Sequence, residues 1–400
     1  MLFHSQKISK DRLDGMSEYA IKVHDYIHEH KDDFLQLLQR LVEEETPSYE
    51  PDCFDGIIKI LKDEFEDVGY KVEHIPGKKT AGQLLCRPKS YQDQQSSQLV
   101  VGHIDTVWNK GILDEMPFKE EDNVISGPGI YDMKTGICMM VFALKAMADL
   151  GLKAKIQAVF LITTDEEIGS NESKELIIEE AKKAERTFVL EPSLDIDGKI
   201  KTRRKGVGHF ELFLKGKPSH AGLAPEEGVS AILGLSHIVQ ELFKLNDPKK
   251  GVSVNVGTIE GGERTNVVAA KSKAAIDVRV PTAEDGKRIK NKIYNLQPEV
   301  QDIELEVKGD ISRPPMEKTE ENEKLWQLTQ KLGKKIGLQL KEGMSGGGSD
   351  GNFTNQYSPT IDGLGAVGEG AHAYHEKIHL KETLDRAALF TLLLLHPSVQ

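Results

Sequence analysis

His103 and Asp105 stand near the end of an apolar run, residues 99–107, within Gly102-His103-Ile104-Asp105-Thr106-Val107. A metal-bound imidazole usually has its other ring nitrogen fixed by a carboxylate or carbonyl, and strand alternation sends these two side chains to one side. The same pair also arises by chance in proteins that bind nothing. Gly127-Pro128-Gly129-Ile130-Tyr131-Asp132 follows, with Asp132 just ahead of a helical pattern, as that helix's N-cap or as a ligand. Residues 156–164 then run into Asp165-Glu166-Glu167. Packed carboxylates repel unless cations or protons neutralise them, so this cluster is solvated surface or a metal and acid/base site. Glu191 ends a third apolar run, 187–190, and Pro192 follows. Near the C-terminus Gly370-Ala371-His372-Ala373-Tyr374-His375-Glu376 supplies imidazoles, with His379 close by. Together these residues make a nitrogen and oxygen ligand set suited to zinc, with enough carboxylates to bridge two ions.

The elements that must position them alternate. From residue 98 the pattern reads strand 99–107, Gly-rich loop 127–130, helix 134–150, strand 156–164, helix 173–183 and strand 187–191, an α/β order with a largely parallel core sheet. Ile137, Met140, Val141, Leu144 and Ala148 recur three and four apart, so that helix should lay one face on the sheet. In such sheets ligands gather at the carboxyl ends of strands, where His103, the Glu166/Glu167 pair and Glu191 fall. After Lys201 shorter alternating strands appear in the order βαββαβ, a ferredoxin-like arrangement read as an inserted domain over 206–309. The first domain, 1–205, is expected to resume over 310–400, with a Gly-rich loop at Gly346-Gly347-Gly348 and a last helix over 381–395. The polar stretch 92–98 reads as a surface loop.

Composition narrows the classes. Four hundred residues bury a core without staples, and 38% hydrophobic with 29% charged residues excludes global disorder. A net charge of −12 disfavours nucleic acid and anionic lipid as partners. The longest apolar stretches, 137–144 and 389–395, are too short to cross a membrane, and Met1 to Lys7 lacks a signal-peptide core, so a cytoplasmic location is expected. Cys53, Cys86 and Cys138 form no CxxC pair, leaving His, Asp and Glu to hold any metal.

The motifs, in order, resemble the dinuclear-zinc hydrolase family of bacterial glutamate carboxypeptidase, aminoacylase, acetylornithine deacetylase and succinyl-diaminopimelate desuccinylase. The resemblance runs from about Leu38 to the C-terminus. Besides those above it rests on Asp132-Met133-Lys134, Asp165-Glu166-Glu167-Ile168-Gly169-Ser170, Glu191-Pro192-Ser193, Ser219-His220-Ala221-Gly222, Gly262-Glu263-Arg264-Thr265-Asn266-Val267, Asp277-Val278-Arg279, Arg313-Pro314 and Gly347-Gly348-Ser349-Asp350. Glutamate carboxypeptidase is the nearest pattern within it.

That resemblance implies a zinc-peptidase catalytic domain with a central mixed sheet flanked by helices, and a βαββαβ lid through which a homodimer forms. It implies two zinc ions per subunit, with Co2+ or Mn2+ also compatible. His103 and Glu191 would hold one, Glu167 and His372 the other, and Asp132 would bridge, with His375 as the alternative to His372. Asp105 would steer His103, Glu166 would be the general base, and His220, from the partner subunit, would stabilise the oxyanion. Asn266, Arg279, Arg313 and Gly347 would contact substrate. The implied reaction is hydrolysis of the amide bond of a peptide or N-acyl amino acid with a free carboxylate. An N-acyl-amino-acid deacylase is the nearest alternative, and a non-catalytic metal-binding protein a remote one.

Overall fold

Parallel pairing at the middle of a sheet demands apolar residues on both faces, and residues 97–103, 157–163 and 184–189 supply them. The computed structural model, which describes residues 18–397, shows a six-stranded mixed sheet in the order Tyr70–Ile75, Gln83–Pro88, Gln157–Thr163, Ser97–His103, Ala184–Val189 and Thr360–Ile361. The last four strands run parallel, and the first two pair antiparallel at one edge. Alternation sends Val100, Phe160 and Phe188 into a core shared with the helices Thr135–Asp149 and Leu380–Leu395. Leu99, Val101, Val159, Leu161 and Val189 face the other way, onto Ile177 and Ala181 of the helix Lys174–Lys183. Each such side chain contributes about 1.5–3 kcal/mol relative to exposure, so both helix layers are firmly seated on the strands whose ends carry the site.

The chain divides into two compact units. One comprises the residues up to Thr202, Lys318–Gly343 and the residues from Ser349 onward; the other comprises Arg203–Glu317 and Met344–Gly348. Within the second, the order is βαββαβ: Gly206–Lys215, Ala231–Phe243, Ser253–Gly261, Lys271–Val280, Ala283–Tyr294 and Glu304–Arg313. Its four strands are all antiparallel, in the sheet order 253–261, 271–280, 206–215, 304–313. Phe210, Leu212, Leu214, Ala274, Ile276 and Val278 meet Leu235, Ile238, Ile289 and Ile293 in a core of their own. Ser230 and Thr282 cap its two helices, accepting from the N–H groups of Leu233 and Asp285.

Several boundaries differ from expectation for local reasons. A domain edge at 309 would cut a strand, because the pairing continues to Arg313 opposite Val207. The Gly346–Gly348 loop, expected within the first domain, lies in the second unit, where the Arg204 guanidinium donates to the carbonyls of Gly347 and Gly348. Ser97 and Gln98, assigned above to a surface loop, are buried strand residues; the Gln98 amide donates to the carbonyls of Ile156 and Leu394. The strand expected over 99–107 stops at His103. Beyond it Thr106 N–H turns to the Thr46 carbonyl at 2.8 Å. Cys53, Cys86 and Cys138 are free thiols. The Met1 to Lys7 segment lies outside the described residues, and among those described no helix is long and apolar enough to cross a membrane.

Candidate active site

His103 is the last residue of its strand, almost wholly buried. Its Nδ1 lies 3.0 Å from the backbone carbonyl of Asp105. A carbonyl only accepts, so Nδ1 carries a proton, and Nε2 faces Asp132 Oδ1 at 3.3 Å and Glu191 Oε1 at 3.5 Å. The Asp105 carboxylate is 3.4 Å from the same Nδ1. It reaches there by a turn after the strand, where alternation had been expected to carry it. That carboxylate also accepts the Ser48 hydroxyl and the N–H groups of Glu166 and Glu167, so one buried aspartate orients the imidazole and pins the acidic loop.

Asp132 is no helix cap. The helix Thr135–Asp149 starts three residues later, with Lys134 at its N-cap position and no side-chain cap. Instead, the Asp132 carboxylate stands between two imidazoles, with His372 Nε2 3.5 Å from Oδ2. His372 Nε2 is also 3.1 Å from Glu167 Oε2. His103, Asp132 and Glu191 therefore form one candidate ligand group, Asp132, Glu167 and His372 a second, and Asp132 is common to both. His375 is exposed and enters neither group.

Electrostatics follow from this crowding. Burial alone would push the Asp132 carboxyl up, but the contacts with His103 and His372 outweigh it and hold it well below the usual carboxylate range. Burial would likewise lower His103, yet Asp105, Asp132 and Glu191 together raise it well above an ordinary histidine. Asp132 and Glu167 push His372 up to about 10. Burial raises Glu167. In the metal-free chain these imidazoles hold protons that any bound cation must displace, so metal affinity falls in acid.

The donor set fits a divalent cation. Asp132 Oδ1 is buried with no hydrogen-bond partner, and the ligand-atom separations of 3.1–3.5 Å match the edge of about 3.3 Å expected of ligands 2.0–2.1 Å from one tetrahedral zinc.

Positioning residues surround the ligands. Glu376, named above within the 370–376 motif but given no role there, is buried and accepts the N–H groups of Gly129, Tyr131 and Asp132 at 2.8–3.0 Å and the Trp108 indole N–H at 3.2 Å. It fixes the backbone from which Asp132 projects, and its burial pushes its carboxyl up to about 7. Its distance of four residues from His372 was the available signal. Gly129 has a positive φ of 68°, and a Cβ there would lie 2.6 Å from Thr106 Cγ2, which restricts that position to glycine. Asp165 is structural: its carboxylate accepts the N–H groups of Glu172 and Ser173 ahead of the helix Lys174–Lys183. Lys201 Nζ stands 3.9 Å from Glu191 Oε2.

In the second unit, His220 is exposed on a turn where its Nδ1 accepts the N–H groups of Gly222 and Leu223, both at 3.1 Å. That fixes the proton on Nε2, which is then a hydrogen-bond donor. Asn266 is exposed beside it, its carbonyl accepting from Ala221 N–H. The Arg279 guanidinium grips Asp277 bidentately at 2.8 and 2.9 Å, and Arg313 is buried. Gly347 is exposed and its carbonyl accepts from Arg204.

A mixed sheet with two candidate ligand groups that share Asp132 is in keeping with a metal-dependent hydrolase. Residues 99–396 match peptidase family M20/M25/M40, and the chain belongs to that family. Carboxypeptidase G2 from Pseudomonas sp. (strain RS-16) is 29% identical over 349 residues, covering 85% of this chain and 83% of its own. Succinyl-diaminopimelate desuccinylase from Rickettsia akari (strain Hartford) is 27% identical, covering 80% of this chain and 89% of its own. The crystal structure of aminopeptidase PepT from Bacillus cereus ATCC 10987 has the same fold, with a TM-score of 0.75 at 22% identity over 93% of this chain and 98% of that one.

Proposed function

We propose that this protein is a dinuclear zinc exopeptidase that cleaves the amide bond of a peptide or N-acyl amino acid bearing a free C-terminal carboxylate, most like a glutamate carboxypeptidase. The observation that carries the reading is Asp132, one of whose oxygens belongs to each ligand group. His103 and Glu191 would hold one ion, and Glu167 and His372 the other. Bound there, two zinc ions would polarise the scissile carbonyl and bring the pKa of a water into the neutral range.

The chain's own residues supply the rest. Glu166 takes the attacking water's proton and returns it to the leaving amine. Its backbone N–H is held by the Asp105 carboxylate, and it adjoins Glu167 in sequence. His220 of the partner subunit would donate its Nε2–H to the developing oxyanion. Arg279 and Arg313 read the substrate carboxylate with Asn266 and Gly347, since a guanidinium matches a carboxylate in a bidentate fork. For Arg279 this means exchanging Asp277 for substrate. The exposed apolar side chains Ile232, Leu233 and Phe243 on one helix of the second unit support a homodimer through that unit.

N-acyl-amino-acid deacylation is the second reading, favoured by the likeness to the desuccinylase. Amine release by the zinc-loaded protein across N-acyl amino acids, dipeptides and benzoyl- or pteroyl-capped glutamates separates the two. Release of C-terminal glutamate is the expected result. Turnover of simple acetyl or succinyl amino acids alone moves the protein to the deacylases, and no turnover with two ions bound removes both readings.

A further inference from the structure

A second convergence of imidazole and carboxylate lies outside the candidate active site. The helix Glu18–Glu29 carries His24 and His28 four residues apart, hence on one face, with ring centroids 4.3 Å from one another. Both Nε2 atoms point at the same oxygen, Asp385 Oδ1 on the helix Leu380–Leu395, at 3.0 and 2.9 Å. His24 and Asp385 are each 12% exposed and His28 27%. The neighbouring charges are few: Lys381 Nζ lies 3.4 Å from Asp385 Oδ2, and Asp25 Oδ1 lies 3.5 Å from His24 Nδ1.

Hydrogen bonding between neutral groups leaves this arrangement unbalanced. If His24 Nε2–H donates to Asp385, then Nδ1 is a bare acceptor, and that atom is buried without a partner and facing a carboxylate. If Nδ1 carries the proton, Nε2 turns a lone pair toward the Asp385 carboxylate, again acceptor against acceptor. A cation in front of both Nε2 atoms and Asp385 Oδ1 satisfies every group at once. The Nδ1 proton of His24 then faces Asp25, the carboxylate contact that orients metal-bound imidazoles. Two histidines one helical turn apart with a carboxylate from another helix are a sound divalent-metal triad, with ligand atoms all within 4.8 Å of one another, and the two histidine–aspartate separations need to open by only a few tenths of an ångström to reach a tetrahedral edge of about 3.3 Å.

We propose that His24, His28 and Asp385 form a structural site for a divalent transition-metal ion of the zinc class, tying the helix Glu18–Glu29 to the helix Leu380–Leu395. Closing a loop of 357 residues between His28 and Asp385, such a clip constrains the unfolded chain strongly. A second proton on His24 is the competing way to balance the groups, and counting metal separates the two.

The test uses the full-length protein and zinc itself. Wild type, His28→Gln and His24→Gln/His28→Gln are dialysed to equilibrium at micromolar free zinc, and bound zinc per chain is measured by elemental analysis. Each variant is expected to hold one ion fewer than wild type, with hydrolase activity kept and the rise in thermal midpoint on adding zinc reduced. Equal zinc in all three overturns the proposal. Should the double variant fail to fold, the more exposed His28 position decides alone. Repeating the comparison in a Glu167→Gln background keeps the one-ion difference, so the outcome is independent of the ions proposed for the active site.

Discussion

The ligand cluster of the first unit and the His220 turn of the second hold their histidines by opposite means. His103 is buried, and its partners come from separate elements, Asp132 from the turn ahead of the helix Thr135–Asp149 and Glu191 from beyond the strand Ala184–Val189; Asp132 in turn is fixed by Glu376, 244 residues away. His220 is exposed and held by N–H groups two and three residues along the same turn. The first arrangement exists only when the whole unit is folded, and it stores the cost of crowded carboxylates and imidazoles in buried hydrogen bonds. The second is set by a few residues of backbone and leaves its Nε2–H outward. Long-range fixing suits groups that must keep a separation to tenths of an ångström, and local fixing suits the donor role proposed for His220.

Variants sharpen that contrast. Glu166→Gln should keep metal content while kcat falls by about 10²–10⁴, the range for a lost general base; full hydrolysis with normal metal would remove Glu166 from that role. His220→Ala should lower kcat by about 10²–10³, the worth of one oxyanion donor, with the thermal midpoint unmoved because the turn's partners are local and exposed. A fall in midpoint as large as that of a buried variant would break the comparison. Glu376→Gln leaves an amide N–H facing backbone N–H donors, and metal affinity or activity should fall by about 10–100-fold, as for other residues that orient ligands; titration with zinc reads it.

The smallest effect concerns another long-range pair. Burial would raise the Asp385 carboxyl, but His24 and His28 hold it well below its ordinary value of 3.8. A carboxylate whose folded pKa is depressed contributes stability above its unfolded pKa and loses it as pH falls below that value. With chelator present, Asp385→Asn should therefore cost about 2 kcal/mol at neutral pH, the scale of hydrogen bonds to a charged group, and progressively less below about pH 4. Urea unfolding at two pH values measures the gap.

Much of this was legible in the residues, because strand and helix periodicities are local. The parallel strands around His103, the buried face of the helix Thr135–Asp149 and the βαββαβ order all followed from apolar spacing. The strand's end was not. Residues 104–107 keep a strand-like alternation, and the contacts that turn the chain after His103, Thr106 N–H to the Thr46 carbonyl and the Thr46 hydroxyl to the Ile104 carbonyl, come from a segment distant in sequence. The place of Ser97 and Gln98 was hidden for a similar reason, since polar side chains enter a core when remote carbonyls receive them. Within the site, residue types named the candidate ligands, whereas Glu376 earns its role from backbone N–H groups that leave no mark on composition.

The first unit is interrupted by the second, and this orders events during synthesis. His103, Asp132, Glu167 and Glu191 have all left the ribosome before the second unit is made, while His372 and Glu376 follow Glu191 after roughly 180 further residues, about 10–35 s at 5–20 residues per second. Through that interval the nascent chain carries one complete candidate ligand group and two of the three residues of the other, with Asp132 still lacking the carboxylate that fixes its backbone. Metal capture that keeps pace with synthesis would fill the His103 group first, and the chain becomes a finished enzyme only when its last helix docks.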